Sequence, residues 1–273
     1  MQSSINVQAI LTAIRAAGDQ FVAEYKHTFI TTDRAGFMQQ LGAIEKRSLA
    51  ALQTSLAEAF PRTPWHGEEF DYAEQRQPLD LPEYWLCDAM DGAIQYMQHL
   101  PGWSINLVLV RAGRPHFAAI YDPLAGELFW AEAGAGAFLN DTPLRPSAKA
   151  SREVMLAVFE YPLGSAEVPG LNQQTGALVT RLLDYFGVVR NYGPHGLQLA
   201  YVGAGRLDAF VQLGLDTYNW LAGILIAREA GASVLTLAGQ PWHWGAESLL
   251  VTAPGVAEPF LAAAATTATG QPA

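Results

Sequence analysis

Apolar positions at Ile5, Val7, Ile10, Leu11, Ile14, Phe21 and Val22 recur on one helical face and predict a helix over residues 5–25. Residues 29–32 read as extended. Asp33 then opens a second helical pattern that runs through Phe37, Leu41, Ile44 and Leu49 to about residue 60, and its short carboxylate suits an N-cap. Pro61 and Pro64 stop that helix. Residues 84–87 read as a strand that ends in a charged turn, Asp88-Ala89-Met90-Asp91-Gly92. Strands over 104–110, 116–121 and 127–131, joined by turn-forming segments at 111–115 and 122–126, predict an antiparallel meander. The polar stretch 145–152 divides this α+β half, residues 1–147, from an α/β half, residues 148–273. There, strands at 154–161, 188–190, 208–213, around Val234 and at 249–252 alternate with helices at 175–186, up to 203, and 219–229.

Composition narrows the picture. Half of the 273 residues are apolar, so a large core is available. The single cysteine, Cys87, excludes an internal disulfide and a cysteine-rich metal site. With 26 acidic and 16 basic residues the net charge is −10, which argues against nucleic acid and against an anionic membrane surface as partners. No apolar run approaches the roughly 18 residues of a membrane span. The expectation is a soluble, cytoplasmic protein.

Two carboxylates three residues apart beside a glycine have two readings. Asp88 and Asp91 could converge on a hard cation such as Mg²⁺, which takes oxygen ligands. Alternatively, Asp88 caps the following helix in an ordinary Asp-Gly turn. His66-Gly67-Glu68 has the H-x-E form of a zinc deaminase, but one cysteine cannot supply the accompanying ligands. A serine-hydrolase elbow of the form G-x-S-x-G is absent from the sequence.

Several segments in order resemble the inositol monophosphatase family. Gly67-Glu68-Glu69 looks like its G-E-E element, and Trp85 to Gly92 is similar to its W-x-x-D-P-[IL]-D-G-T signature. Gly134-Ala135-Gly136-Ala137-Phe138 matches its G-x-G-A-F turn, and later elements around Gly193, Gly205 to Phe210 and Tyr218-Asn219 follow at the family's spacing. The resemblance implies a layered α-β-α-β-α sandwich, usually a homodimer, that hydrolyses the phosphate monoester of a small sugar, polyol or inositol with Mg²⁺, or with Mn²⁺ in its place. Carried over by position, Glu68, Asp88, Asp91 and the Met90 carbonyl would be metal ligands, with Glu68, Asp91 and Asp33 serving the attacking water. Gly92 and Ala93 would face the phosphate, and Gly193, Pro194, His195 and Gln212 the polyol side.

Three positions depart from the family pattern. Ala89 replaces a proline without chemical consequence. Ala93 replaces a threonine whose hydroxyl helps to activate water, a loss that could cost about 10²–10⁴ in rate. Asn219, after Tyr218, replaces the aspartate of the family's W-D pair. It offers an oxygen but no charge and has the chemistry of a helix N-cap. Asp216 would compensate as a ligand if its loop turns inward, and is otherwise a solvated loop aspartate. These departures leave two readings, a Mg²⁺-dependent phosphatase and a catalytically impaired relative that binds a phosphorylated ligand or regulates a partner.

Overall fold

Residues 5–27, 29–66, 74–161 and 168–268 are described by a computed structural model, in which the hydrophobic rows close into two sheets and seven helices. The chain begins with α1 (Val7–Glu24), α2 (Arg34–Leu56), β1 (Trp65–His66), β2 (Glu83–Asp91) and the short α3 (Ala93–Met97). Next come β3 (Ser104–Arg111), β4 (Arg114–Asp122), β5 (Glu127–Glu132), β6 (Gly136–Leu139) and β7 (Thr142–Pro143). These seven strands form one sheet in sequence order, antiparallel from β2 onward, with β1 parallel to β2. The predicted meander is therefore present.

The remainder runs β8 (Leu156–Glu160), α4 (Leu171–Tyr185), β9 (Val188–Arg190), α5 (His195–Gly203), β10 (Ala209–Leu213), α6 (Thr217–Ala230), β11 (Ser233–Leu235), β12 (Ser248–Thr252) and α7 (Ala257–Ala268). Its five strands are ordered β11-β12-β10-β8-β9. Strands β9, β8 and β10 are parallel, and β12 is antiparallel to both its neighbours.

Burial explains the layering. Helix α1 buries one stripe, Ile10, Leu11, Ala13, Ile14, Ala17 and Phe21, and so lies on an outer face, with α2, against the first sheet. Helix α6 buries every residue from Thr217 to Ala227. A helix apolar on all sides belongs inside, and α6 packs with α5 between the two sheets. Helices α4 and α7 cover the far face of the second sheet, around Leu178, Leu182, Phe186 and Phe260. The result is the α-β-α-β-α sandwich expected from the resemblance. Each fully buried large side chain in these layers, such as Trp220 or Phe210, contributes up to about 1.5–3 kcal/mol.

Element edges differ modestly from the sequence reading. Helix α2 ends at Leu56, and a turn carries the chain on to Phe60, whose N–H still reaches the Leu56 carbonyl at 2.8 Å. Helix α4 starts at Leu171, ahead of Thr175, because Leu171 is itself buried. Helix α6 is fixed at its far end, where the Glu229 carboxylate accepts from the Gly134 and Gly136 N–H groups at 3.0 and 3.1 Å.

The α5–α6 crossing depends on a glycine. A Cβ at Gly223 would lie 2.3 Å from the Leu199 Cβ, so the helices meet with no room for a methyl group. Gly223→Ala is therefore expected to lower stability by about 1–3 kcal/mol, read from the urea unfolding midpoint. An unchanged midpoint would show that the helices do not approach this closely.

Candidate active site

The site is organised by one irregularity in β2. Asp88 pairs with Asn106 of β3 and Asp91 with Ser104, so three steps on one strand oppose two on the other. Side chains three apart on a regular strand face opposite sides. The extra residue brings Asp88 and Asp91 to the face shared by Asn106 and Ser104. The sequence reading ended this strand at the first aspartate, whereas β2 carries both. Gly92 then takes φ +83°, and a Cβ there would sit 2.7 Å from the Gly102 carbonyl oxygen. Only glycine turns the chain into α3 at this point.

A polar chain crosses from the first sheet to the second half. The Ser104 hydroxyl donates to Asn106 Oδ1 at 2.9 Å, and Asn106 Nδ2 donates to Asp91 Oδ2 at 2.8 Å. The same oxygen accepts the Gly196 N–H, from the first turn of α5, at 2.7 Å. A Cβ at Gly196 would lie 2.4 Å from Asn106 Nδ2, so the close approach requires a residue without one.

Beside this chain stands His195, with Nδ1 at 3.9 Å from Asp91 Oδ1 and Nε2 at 3.4 Å from Asp216 Oδ2. Burial by itself would lower the imidazole's pKa, but the neighbouring carboxylates of Asp91, Asp216 and Glu160 outweigh it and hold the pKa at about 9. Asp216 is 2% exposed. Its Oδ1 accepts from Asn219 Nδ2 at 2.8 Å and its Oδ2 from Gln212 Nε2 at 2.9 Å. Burial raises the Asp216 pKa, against the lowering effects of His195, Gln212 and Asn219.

A cavity of about 340 Å³ joins these parts. Asp88, Met90, Asp91, Gly92 and Ala93 line it from the first half, and Gly193, Pro194, His195 and Asn219 from the second. Phe37, Leu41 and Glu45 of α2 form another part of the wall.

A family model described as the inositol monophosphatase family matches residues 2–269. The chain belongs to the inositol monophosphatase family. It is 27% identical over 252 residues to the Nus factor SuhB of Salmonella typhimurium, covering 92% of each chain. The crystal structure of the extragenic suppressor protein suhB from Bartonella henselae superposes with a TM-score of 0.76 at 25% identity, covering 94% of this chain and 98% of that one. An inositol monophosphatase structure from Anabaena gives the same TM-score and identity, with 96% and 97% covered.

These relatives correct one expectation. Nucleic acid was excluded as a partner on net charge alone, yet relatives of this similarity carry the name Nus factor, so the exclusion does not hold. Net charge is a sum over the whole surface and does not locate a contact. No described helix is long and apolar enough to cross a membrane.

The family's expected residues meet the structure unevenly. Asp88, Met90, Asp91, Gly92, Ala93, Gly193, Pro194, His195 and Asn219 share the cavity. Gln212 is fully buried and does not face it, because its amide donates to Asp216 and accepts from Trp220 Nε1 at 2.7 Å. Asp33 is the exposed N-cap of α2, accepting from the Gly36 N–H at 2.8 Å, and is not part of the cavity wall. Asp216 is neither a solvated loop residue nor a lining residue; it touches the site through His195. It holds the N-cap position of α6 that the sequence reading gave to Asn219. Glu68 lies outside the described residues.

Sequence reasoning missed Asn106 and Glu160. A polar residue inside the apolar run 104–110 was the available signal for the first, and an acid ending the run 156–160 for the second. Glu160, 5% exposed, accepts from the Gly193 N–H at 3.0 Å, Asn191 Nδ2 at 3.2 Å and Gln198 Nε2 at 2.5 Å, and so shapes the turn before α5.

The donor types partly fit a hard cation. Asp88 and the Met90 carbonyl are oxygen ligands of the kind Mg²⁺ accepts. Among the described residues, however, no three His, Cys, Asp or Glu side chains form a group that could hold a metal ion.

Two outcomes follow. Asn106→Ala removes the side-chain donor to a buried carboxylate and should cost about 1–3 kcal/mol, measured by chemical denaturation. His195, with its pKa held above the ordinary 6.5 at about 9, stabilises the fold fully below about pH 6.5. That contribution is lost as pH rises through about 9. The Tm of protein kept in chelator should therefore fall across this window, and His195→Gln should flatten the fall.

Proposed function

We propose that this protein binds a small phosphorylated sugar, polyol or inositol in the cleft and hydrolyses its phosphate monoester with a divalent cation, Mg²⁺ or Mn²⁺. The observation that carries this reading is the shared cavity: oxygen donors at Asp88 and Met90 and the glycine-led turn at Gly92 face the same space as the Gly193–His195 turn of the other half. Asp88 and the Met90 carbonyl, with Glu68, would hold the cation. When bound, such a cation polarises a phosphoryl oxygen and lowers the pKa of water. Gly92 and Ala93 leave room for a phosphate beside these ligands. Pro194 offers an apolar wall to the ring carbons, while Asn191 and Glu160 border the cavity with groups suited to hydroxyls. Held this way, the ester bond is oriented across the cleft, and α2 limits the water that reaches it.

A second reading, a regulatory protein that binds a phosphorylated ligand without turning it over, is favoured by two side chains. Ala93 brings no hydroxyl to the water, and the Asn219 amide is turned toward Asp216. The name Nus factor borne by relatives points the same way.

Release of inorganic phosphate from a panel of phosphomonoesters, with and without Mg²⁺ or Mn²⁺, tests the proposal. Metal-dependent turnover should appear, disappear in Asp88→Asn, and rise in Ala93→Thr by up to about 10²-fold. Saturable binding of a phosphomonoester with no release from the wild-type chain would establish the second reading instead.

A further inference from the structure

We infer that the Asp91–Asp216 side of the cleft is closed to metal ions, three of its four carboxylate oxygens accepting protein N–H donors and the imidazole of His195 filling the space before the fourth. The inference deepens the proposed reading of the cleft as a phosphoryl site and rests on it.

The hydrogen bonds carry the argument. A carboxylate oxygen has two in-plane lone pairs. Those of Asp91 Oδ2 are matched by the Gly196 N–H at 2.7 Å and Asn106 Nδ2 at 2.8 Å. Both oxygens of Asp216 accept, one from Asn219 Nδ2 at 2.8 Å and one from Gln212 Nε2 at 2.9 Å. The remaining faces, Asp91 Oδ1 and the open side of Asp216 Oδ2, look toward the two ring nitrogens of His195, at 3.9 and 3.4 Å.

Each donor is itself held. The Gly196 N–H belongs to the helix backbone. Asn106 is fixed from behind by the Ser104 hydroxyl at 2.9 Å, and Gln212 by the Trp220 indole N–H at 2.7 Å. Turning the Asn219 amide over would set its oxygen against the Asp216 carboxylate. A site for Mg²⁺ needs oxygens converging on one empty point. This one has N–H donors on three of its four oxygens and the His195 ring in the gap. Imidazole is also a poor partner for so hard an ion. Asp216, which the sequence reading offered as a replacement ligand for the aspartate missing at 219, instead completes the closed array.

Mn²⁺ alone, titrated into the full chain and followed by electron paramagnetic resonance and calorimetry, tests the inference. Wild-type protein should bind no ion on this side, so Asp216→Asn should leave stoichiometry and affinity unchanged. The double variant His195→Ala, Asn219→Asp, checked for native circular dichroism, should gain one Mn²⁺ per chain. Loss of an ion or at least about tenfold weaker binding in Asp216→Asn overturns the inference, as does a folded double variant that gains nothing. Should the double variant fail to fold, anomalous diffraction from wild-type crystals soaked in Mn²⁺ decides. A peak within about 2.5 Å of an Asp91 or Asp216 oxygen overturns the inference, and its absence there supports it. If wild-type protein binds no Mn²⁺ but the double variant does, the proposed metal-dependent hydrolysis fails while the inference stands.

Discussion

Asp91 Oδ2 receives one hydrogen bond from β3 and another from the first turn of α5, so the helix that opens the second half is placed by a carboxylate on a strand of the first. The β2 irregularity makes this possible by turning Asp91 onto the face that Asn106 occupies. Without the extra residue, Asp88 and Asp91 would lie on opposite sides of the sheet, and the cleft would lose one of this pair of acids. The glycine at 196 is the matching condition on the other side, since the backbone comes too close for any side chain.

The electrostatics follow from that placement. Asp91, Asp216 and Glu160 are all nearly inaccessible to water, and buried anions are costly unless each is paired and hydrogen-bonded. His195 offsets two of them and the surrounding amides satisfy most of the remaining lone pairs. Removing any one member leaves its partners exposed to an apolar surrounding, which is why such arrays are sensitive to single substitutions yet specify one geometry. Glu160 shows the same economy on a smaller scale, fixing the loop before α5 with three donors.

Much of the architecture was legible in residues 5–60 and 104–131, because helical stripes and alternating strands are local signals. The stripe from Ile10 to Phe21 and the cap at Asp33 reappear where periodicity puts them. What the sequence concealed was set by pairing between distant residues. No local pattern shows that β2 gains a residue against β3, that Asp216 turns inward to meet His195, or that Gln212 spends both ends of its amide on neighbours. The family resemblance correctly led to the layered fold. It was less informative at Asp216 and Gln212, where this chain's own side chains bond to one another. Total charge misled for a related reason, since it carries no positional information about partners.

Helix α6 is held near both ends, by Asp216 and Asn219 at the cleft and by Glu229 against the Gly134–Gly136 turn, and it is enclosed on all sides between. With 3.6 residues per turn, inserting one residue would swing everything beyond it by about 100°. The Gly223 notch would then miss Leu199, or the distal acid its turn. The interior helix thus acts as a ruler: along its length this protein can exchange side chains but cannot change its residue count, and freedom to lengthen or shorten lies with the outer helices α1, α2, α4 and α7.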